Sequence, residues 1–357
     1  MSDENPRTPL APLQKELGAR FVDFGGWDLP VLYTSIVDES DAVRNKCGIF
    51  DVSHMGRFFL SGLSVVEDLD RILSRDMTTL EPGKQRYSLL LNEDGGVLDD
   101  LMAARIADQE FLLVVNAGNL ESDREWIESH LSDGTDLIDR SKATVMIAVQ
   151  GPEAERILTE VTGDDHSESK FMDVVGGVYQ GVPYLAIRGG YTGEDGFEVI
   201  LPNGEGLMLW KELIQAGAVP CGLGARDLLR LEVAYPLHGH EITKEIRPHE
   251  ANLRWALSKK GDFIGRSAIE SNEPRYNLIG FAMEKKAIPR EGYPVVVDGE
   301  EVGVVTSGGL SSRMPNGFGL ARVRKDSVEE SLEIVIRGKN NPAKKVKTPF
   351  IQDRVKR

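Results

Sequence analysis

Two glycine-dense, acid-rich segments constrain this chain more than any other feature. LNEDGGVLDDL runs from Leu91 to Leu101, and GGYTGEDGFEVILP runs from Gly189 to Pro202. Glycine marks a sharp turn or a close approach of two backbones. Each segment feeds an apolar stretch, so each predicts a tight turn held rigidly by a buried strand. Carboxylates on such turns accept hydrogen bonds from an electron-rich, N–H-bearing ligand. They repel phosphate, because like charges repel.

A chain of 357 residues exceeds the usual single core and predicts two or three domains. The formal net charge is -15, from 42 basic and 57 acidic residues. That balance argues against nucleic-acid binding, which needs a basic face. Cys47 and Cys221 lie far apart in sequence and imply no disulfide framework, which points to a reducing compartment. The N-terminal stretch MSDENPRTPLAPL is polar and lacks the apolar centre of a signal peptide. No apolar run approaches the roughly 18 residues of a membrane span. A cytoplasmic protein is expected, and an organellar one with its presequence removed would read the same.

Short helices alternate with hairpins, which fits α+β rather than a doubly wound sheet. A helix is predicted over Ser35 to Lys46, capped by Ser35 with Asp38 in the first turn. Others are predicted over Ser64 to Leu73 and Asn119 to Leu131. Arg86 to Asn92 reads as a strand that turns through Glu93 to Gly96 into VLDDLMAARI, and EFLLVVNAG follows. Ala143 to Leu158 reads as a strand and then a helix. Strands VPYLAIRGG and FEVILP flank the loop Tyr191 to Gly196. Gly206 to Ala216 reads as a helix with Leu207, Trp210 and Ile214 inward, and Arg226 to Ala234 as another. A linker is expected at residues 270–276. Beyond it, Asp298–Gly299 predicts a hairpin turn, SLEIVIRG and KKVKTPFI predict strands, and a small β-barrel is the natural reading.

GLGARD at Gly222 resembles a nucleotide loop, yet it lacks the full glycine fingerprint and a βαβ frame. His238, His240 and His249 could ligate zinc or iron, but no second ligand group accompanies them, and no metal is expected. Asp99 and Asp100 form the sharpest chemical candidate. On a strand they face opposite sides, so only one of them addresses a given pocket. Glu198 falls inside the apolar strand FEVILP and needs a partner or solvent. Arg226, with its planar donor fork, is a plausible partner.

These residues also carry a family resemblance. VDFGGWDLPVLY, CGIFDVSHMG, RYSLLLNEDGGVLDDL, LLVVNAGN, GGYTGEDGFEVILP, GLGARDLLRLEVAYPLHGHE, KKGDFIGRSAI and GVVTSGGLS follow one another in order over nearly the whole chain. Together they resemble the aminomethyltransferase, or T-protein, of the glycine cleavage system. The resemblance implies a three-domain, cloverleaf-like α+β fold with tetrahydrofolate in a central cavity. It implies a folate-binding region over residues 1–270, made of two intertwined subdomains, and a C-terminal β-barrel domain over residues 277–357. The implied partner is lipoylated H-protein, with the glycine decarboxylase and lipoamide dehydrogenase components as indirect partners. The implied reaction moves the methylene carbon of the aminomethyl group on the lipoyl arm to tetrahydrofolate and releases ammonia.

By the same resemblance, Asp100 is the key acid. Glu198 holds the pterin, and Arg226 contacts the folate. Tyr87, Asn116 and Tyr191 line the cavity, and Arg354 reaches the site from the C-terminus. Neither metal nor pyridoxal phosphate is implied. Lys344 to Lys347, with Arg337 and Arg290, could offer a basic face to the partner, and a solvated charge run is the alternative. A folate-dependent demethylase of small methylated amines is the rival enzyme on this fold. A noncatalytic folate-binding protein is the rival of another class, and retention of Asp100 and Glu198 speaks against it.

Overall fold

The computed structural model describes residues 5–327 and 329–357. The first four residues of the polar N-terminal stretch lie outside the described residues. One sheet has six strands, ordered Val174–Tyr179, Val182–Arg188, Gly196–Pro202, Thr144–Gln150, Gly48–Asp51 and Val219–Pro220. A second has five, ordered Lys84–Leu91, Val97–Ala107, Glu110–Val115, Gly56–Ser61 and Asp136–Asp139. The third unit is a closed barrel of six strands, sealed where Tyr276–Met283 pairs with Lys339–Val346. The fold is therefore α+β, with a C-terminal barrel.

Alternation along the strands explains how the first two sheets stack. Ala104, Leu112 and Val114 of the five-stranded sheet meet Met146, Ala148, Ile187 and Ile200 of the six-stranded sheet in one buried cluster. Intervening residues face outward. Leu101, Ala103 and Leu113 pack under helices Val65–Ile72 and Leu120–His130. Val145, Ile147 and Val199 pack under helices Ala154–Thr162 and Asn203–Gln215. Each fully buried Leu or Phe in these layers contributes about 1.5–3 kcal/mol. Between Leu101 and Ala104, odd and even positions thus belong to different cores, and the same alternation separates Asp99 from Asp100.

The predicted cap holds: the Asp38 amide donates to Ser35 Oγ at 3.1 Å, and the helix runs Ile36–Asn45. Asp298 and Gly299 both take positive φ, 51° and 83°, as the hairpin turn between Pro294–Val297 and Glu300–Gly309 requires. Two helices differ from expectation. The helix predicted over Arg226 to Ala234 begins earlier, at Leu223–Glu232, because extended Gly222 caps it; Ala234 lies beyond its end with φ 57°. Helix Asn203–Gln215 buries Gly206, Leu209, Trp210 and Leu213, with Leu207 and Ile214 at the margin. A β-carbon on Gly206 would lie 1.8 Å from Val145, so the helix rests its glycine face on the sheet. The last barrel strand stops at Val346, short of the predicted Ile351, and Phe350 packs instead against Phe318.

The barrel seats on helix Leu223–Glu232. Leu228 and Leu231 pack with Leu278, Phe318 and Leu320. Beside them, buried Arg230 donates to Glu241 at 3.0 Å and to Ser307 Oγ at 2.7 Å. Among the described residues, no helix is long and apolar enough to cross a membrane.

Candidate active site

Both glycine turns are built for close approach. A β-carbon on Gly96 would lie 1.8 Å from the Lys244 carbonyl oxygen. The Gly96 amide donates to Asn92 Oδ1 at 2.8 Å, which closes the turn. Gly193 has φ 73°, and a β-carbon there would meet Val233 at 2.3 Å. These turns fix the strands that carry Asp100 and Glu198.

Asp100 is half-buried on the inter-sheet side. Tyr87 OH donates to its Oδ2 at 3.0 Å, and Asn116 Nδ2 donates to its Oδ1 at 3.0 Å. Burial, followed by the charge of Asp99, pushes the Asp100 carboxyl up to about 7. The phenol of Tyr87 is pushed well above its ordinary range by burial and then by Asp100. Asp99 points the other way and is fully buried. It accepts from the Asn116 amide at 2.9 Å, Asn116 Nδ2 at 2.8 Å and Asn119 Nδ2 at 2.7 Å.

Glu198 pairs with Ile187 and Ala148 in the middle of its sheet, yet faces the same inter-sheet side as Ile200. Only 7% of it is exposed, and burial raises its carboxyl while Arg226 opposes the rise. The expected Glu198–Arg226 ion pair does not form among the described contacts: the two interact through space without a bridge. Arg226 instead lies over the Tyr191 ring at 5.0 Å, with Nη1 buried and unpartnered. Its guanidinium is lowered by burial and supported by Glu198. Tyr191 OH donates to the Pro236 carbonyl, and its phenol, raised by burial, also feels Asp100. Hydrogen bonds thus join Asp100 to Tyr87 and Asn116, Arg226 lies over Tyr191, and Glu198 feels the charge of Arg226.

Arg354 is bound to the Tyr191 loop. Its Nε and Nη2 donate to Glu194 Oε1 at 3.0 and 2.6 Å, and its amide donates to the Gly193 carbonyl at 2.8 Å. Glu194 also accepts from buried Arg44 at 2.8 Å, so the C-terminal tail clasps the Tyr191 loop. The three histidines share no partner among the described residues. Asn119 Nδ2 lies 3.1 Å from His238 Nδ1, His240 Nδ1 lies 3.1 Å from the Thr306 carbonyl oxygen, and His249 Nε2 is buried without a partner.

Sequence reasoning missed several neighbours. Asn119 and Asp123 open helix Leu120–His130 beneath Asp99, and their four-residue spacing was the available signal. His54, in DVSHMG, is buried and pushed down to about 3 by burial and then by Arg226 and Arg57. Trp255 had no local signal; it stacks on Tyr87 at 5.3 Å and borders a surface cleft of about 520 Å³ lined also by His249, Arg254 and Lys325.

The fold and the site define a class. Residues 10–261 match the GCVT N-terminal domain, and residues 277–352 match the glycine cleavage T-protein C-terminal barrel domain. The chain is 42% identical to an aminomethyltransferase of Geobacillus sp. (strain WCH70), covering 96% of this chain and 98% of that one. It is 39% identical to an aminomethyltransferase of Halothermothrix orenii, covering 97% and 99%. A crystal structure of glycine cleavage system aminomethyltransferase T from Bartonella henselae superposes with a TM-score of 0.93 at 34% identity, covering 99% of each chain. This chain belongs to the glycine cleavage T-protein family of aminomethyltransferases.

Proposed function

We propose that this chain transfers the methylene carbon of the aminomethyl group on lipoylated H-protein to tetrahydrofolate, releasing ammonia and forming 5,10-methylenetetrahydrofolate. The observation that carries this reading is the presence of two carboxyl groups, Asp100 and Glu198, on the inter-sheet side. Glu198 is buried and receives no hydrogen bond from the described residues, while Asp100 is held by Tyr87 and Asn116. A buried carboxylate without a protein donor is costly unless a ligand supplies one. The N–H edge of a pterin is such a donor, and the unpartnered Nη1 of Arg226 suits an acceptor on the same ligand.

Tetrahydrofolate supplies the nucleophilic nitrogen that takes the carbon. Asp100, as a carboxylate fixed by two donors, stabilises positive charge developing on that carbon as ammonia leaves. Tyr87 and Asn116 keep Asp100 oriented. Tyr191 and Arg226 wall the space beside Glu198. Holding both reactants against these groups supplies much of the remaining rate enhancement. Glycine decarboxylase and lipoamide dehydrogenase act on the same H-protein in other steps.

Asp100→Asn keeps the volume and removes the charge. The expected outcome is a transfer rate reduced by a few kcal/mol of transition-state stabilisation with folate affinity nearly retained. Single-turnover transfer from loaded H-protein at saturating folate measures it. Wild-type turnover in D100N would return Asp100 to a hairpin acid.

A further inference from the structure

The Tyr87 hydroxyl reaches Asp100 at a slant across two strands. Tyr87 is paired with Met102, and Asp100 with Leu89, so phenol and carboxyl are diagonal neighbours on the ladder. Such neighbours lie about 7–8 Å apart, a gap that an aromatic side chain spans by leaning along the strand. The bond so made is direct, from Tyr87 OH to Asp100 Oδ2 at 3.0 Å. The donor on the other oxygen is divided. Asn116 Nδ2 is shared among Asp99 Oδ1 at 2.8 Å and Asp100 Oδ1 and the Asp100 carbonyl oxygen, both at 3.0 Å. How the Asp100 carboxyl is turned therefore depends on where the Tyr87 ring is held.

Trp255 lies against that ring. The two rings stack with centroids 5.3 Å apart and planes 30° apart. Trp255 is 58% exposed, so filling a core does not account for its place. Its segment is nonetheless fastened. Arg75 Nη1 donates to the Trp255 carbonyl oxygen at 3.1 Å, and the same guanidinium lies over the indole at 5.9 Å. Ser74 Oγ donates to the Ala256 carbonyl oxygen at 2.7 Å and accepts from the Leu89 amide at 3.0 Å. The Ser258 amide donates to the Ser74 carbonyl oxygen at 2.7 Å. Residues 255–258 are thus tied to the strand Lys84–Leu91 that carries Tyr87.

We propose that Trp255 is a positioning residue for the transfer reaction: clipped by Arg75 and stacked on Tyr87, it holds the Tyr87 hydroxyl on Asp100. This role rests on the reading of Asp100 given above. Trp255 acts through the Tyr87 ring and not on the reacting atoms. A phenyl group in its place keeps a stacking face, and a methyl group does not. Because the indole is largely exposed, its removal leaves the cores filled, and an effect at Asp100 is then carried by the stack.

Carboxyl carbon NMR of the full chain with labelled aspartate, recorded well above neutral pH, reads the Tyr87 bond without folate or H-protein. Asp100 is assigned by the signal lost in Asp100→Asn, and Tyr87→Phe gives its position without the phenol donor. Trp255→Ala should move the Asp100 signal toward that position, and Trp255→Phe should leave it near wild type. Arg75→Gln, which removes the clip and keeps both rings, should move it the same way by less. Once Tyr87→Phe is present, Trp255→Ala should add nothing. Single-turnover transfer at saturating folate should slow about tenfold in W255A, the lower end of what one hydrogen bond to a charged group is worth, with folate affinity little changed. An Asp100 signal unmoved in W255A would overturn the proposal. So would an equal displacement with and without the Tyr87 hydroxyl, since the indole would then act on Asp100 by another route. Inactivity of wild type toward aminomethylated H-protein would sink the proposed reaction, and the Asp100 signal would still decide the stack.

Discussion

Asp99 and Asp100 are adjacent in sequence and differ in their partners. Strand alternation alone separates them, and that much is legible from GGVLDD. Which one faces the ligand is not, because it depends on which core each side of the sheet meets. Glu198 is legible for the same reason, as an acid inside an apolar strand. Its distance from Arg226 is not, because helix Leu223–Glu232 starts earlier than its pattern implies and places Arg226 over Tyr191. Replacing Glu198 with Ala should weaken folate binding by about 1–3 kcal/mol, the value of acceptors lost from a buried site. Calorimetry on the folded variant checks this, and unchanged affinity would remove Glu198 from the pterin site.

The raised Asp100 carboxyl also has a pH signature. Its midpoint of about 7 lies above the ordinary aspartate range, so the carboxylate forms only as pH rises through neutrality. Single-turnover transfer should climb across that window and lose the climb in D100N. The sign for stability is opposite. The folded chain holds a proton that the unfolded chain has released, so Asp100 disfavours the fold above neutrality and ceases to do so below the ordinary aspartate range. A flat rate from pH 6 to 8 would contradict the pH 7 midpoint assigned to Asp100.

At the scale of elements, the glycine turns were the most readable features, because no other residue fits them. The sequence showed that LNEDGG must turn; it did not show that Lys244, distant in the chain, sits against Gly96. Contacts of that kind follow from packing between units and leave no local pattern. Gly96→Ala forces a β-carbon into a carbonyl oxygen and should destabilise by about 1–3 kcal/mol, as overpacking does. Thermal or urea unfolding measures it. Unchanged stability would mean that the segment carrying Lys244 yields freely, and that the turn does not fix the strand of Asp100.

At the scale of the molecule, two stacked sheets enclose an apolar core that gives way on one side to Asp100, Glu198, Tyr191 and Arg226. The barrel is anchored to the same helix that supplies Arg226, through Leu228, Leu231 and Arg230. Motif order along the chain made the architecture legible, and the Asp298–Gly299 turn made the barrel legible. The clasp of Arg354 on Glu194 was not, since it joins the last residues to a loop from the middle of the chain. All these parts serve the proposed reaction, in which nitrogen leaves the lipoyl arm as ammonia while the methylene carbon passes to tetrahydrofolate. Ammonia release from aminomethylated H-protein, measured with and without tetrahydrofolate, tests it most directly. Rapid release matched by methylenetetrahydrofolate formation, and only slow release without folate, is the predicted result; release at the same rate without folate, or none with it, would contradict the account.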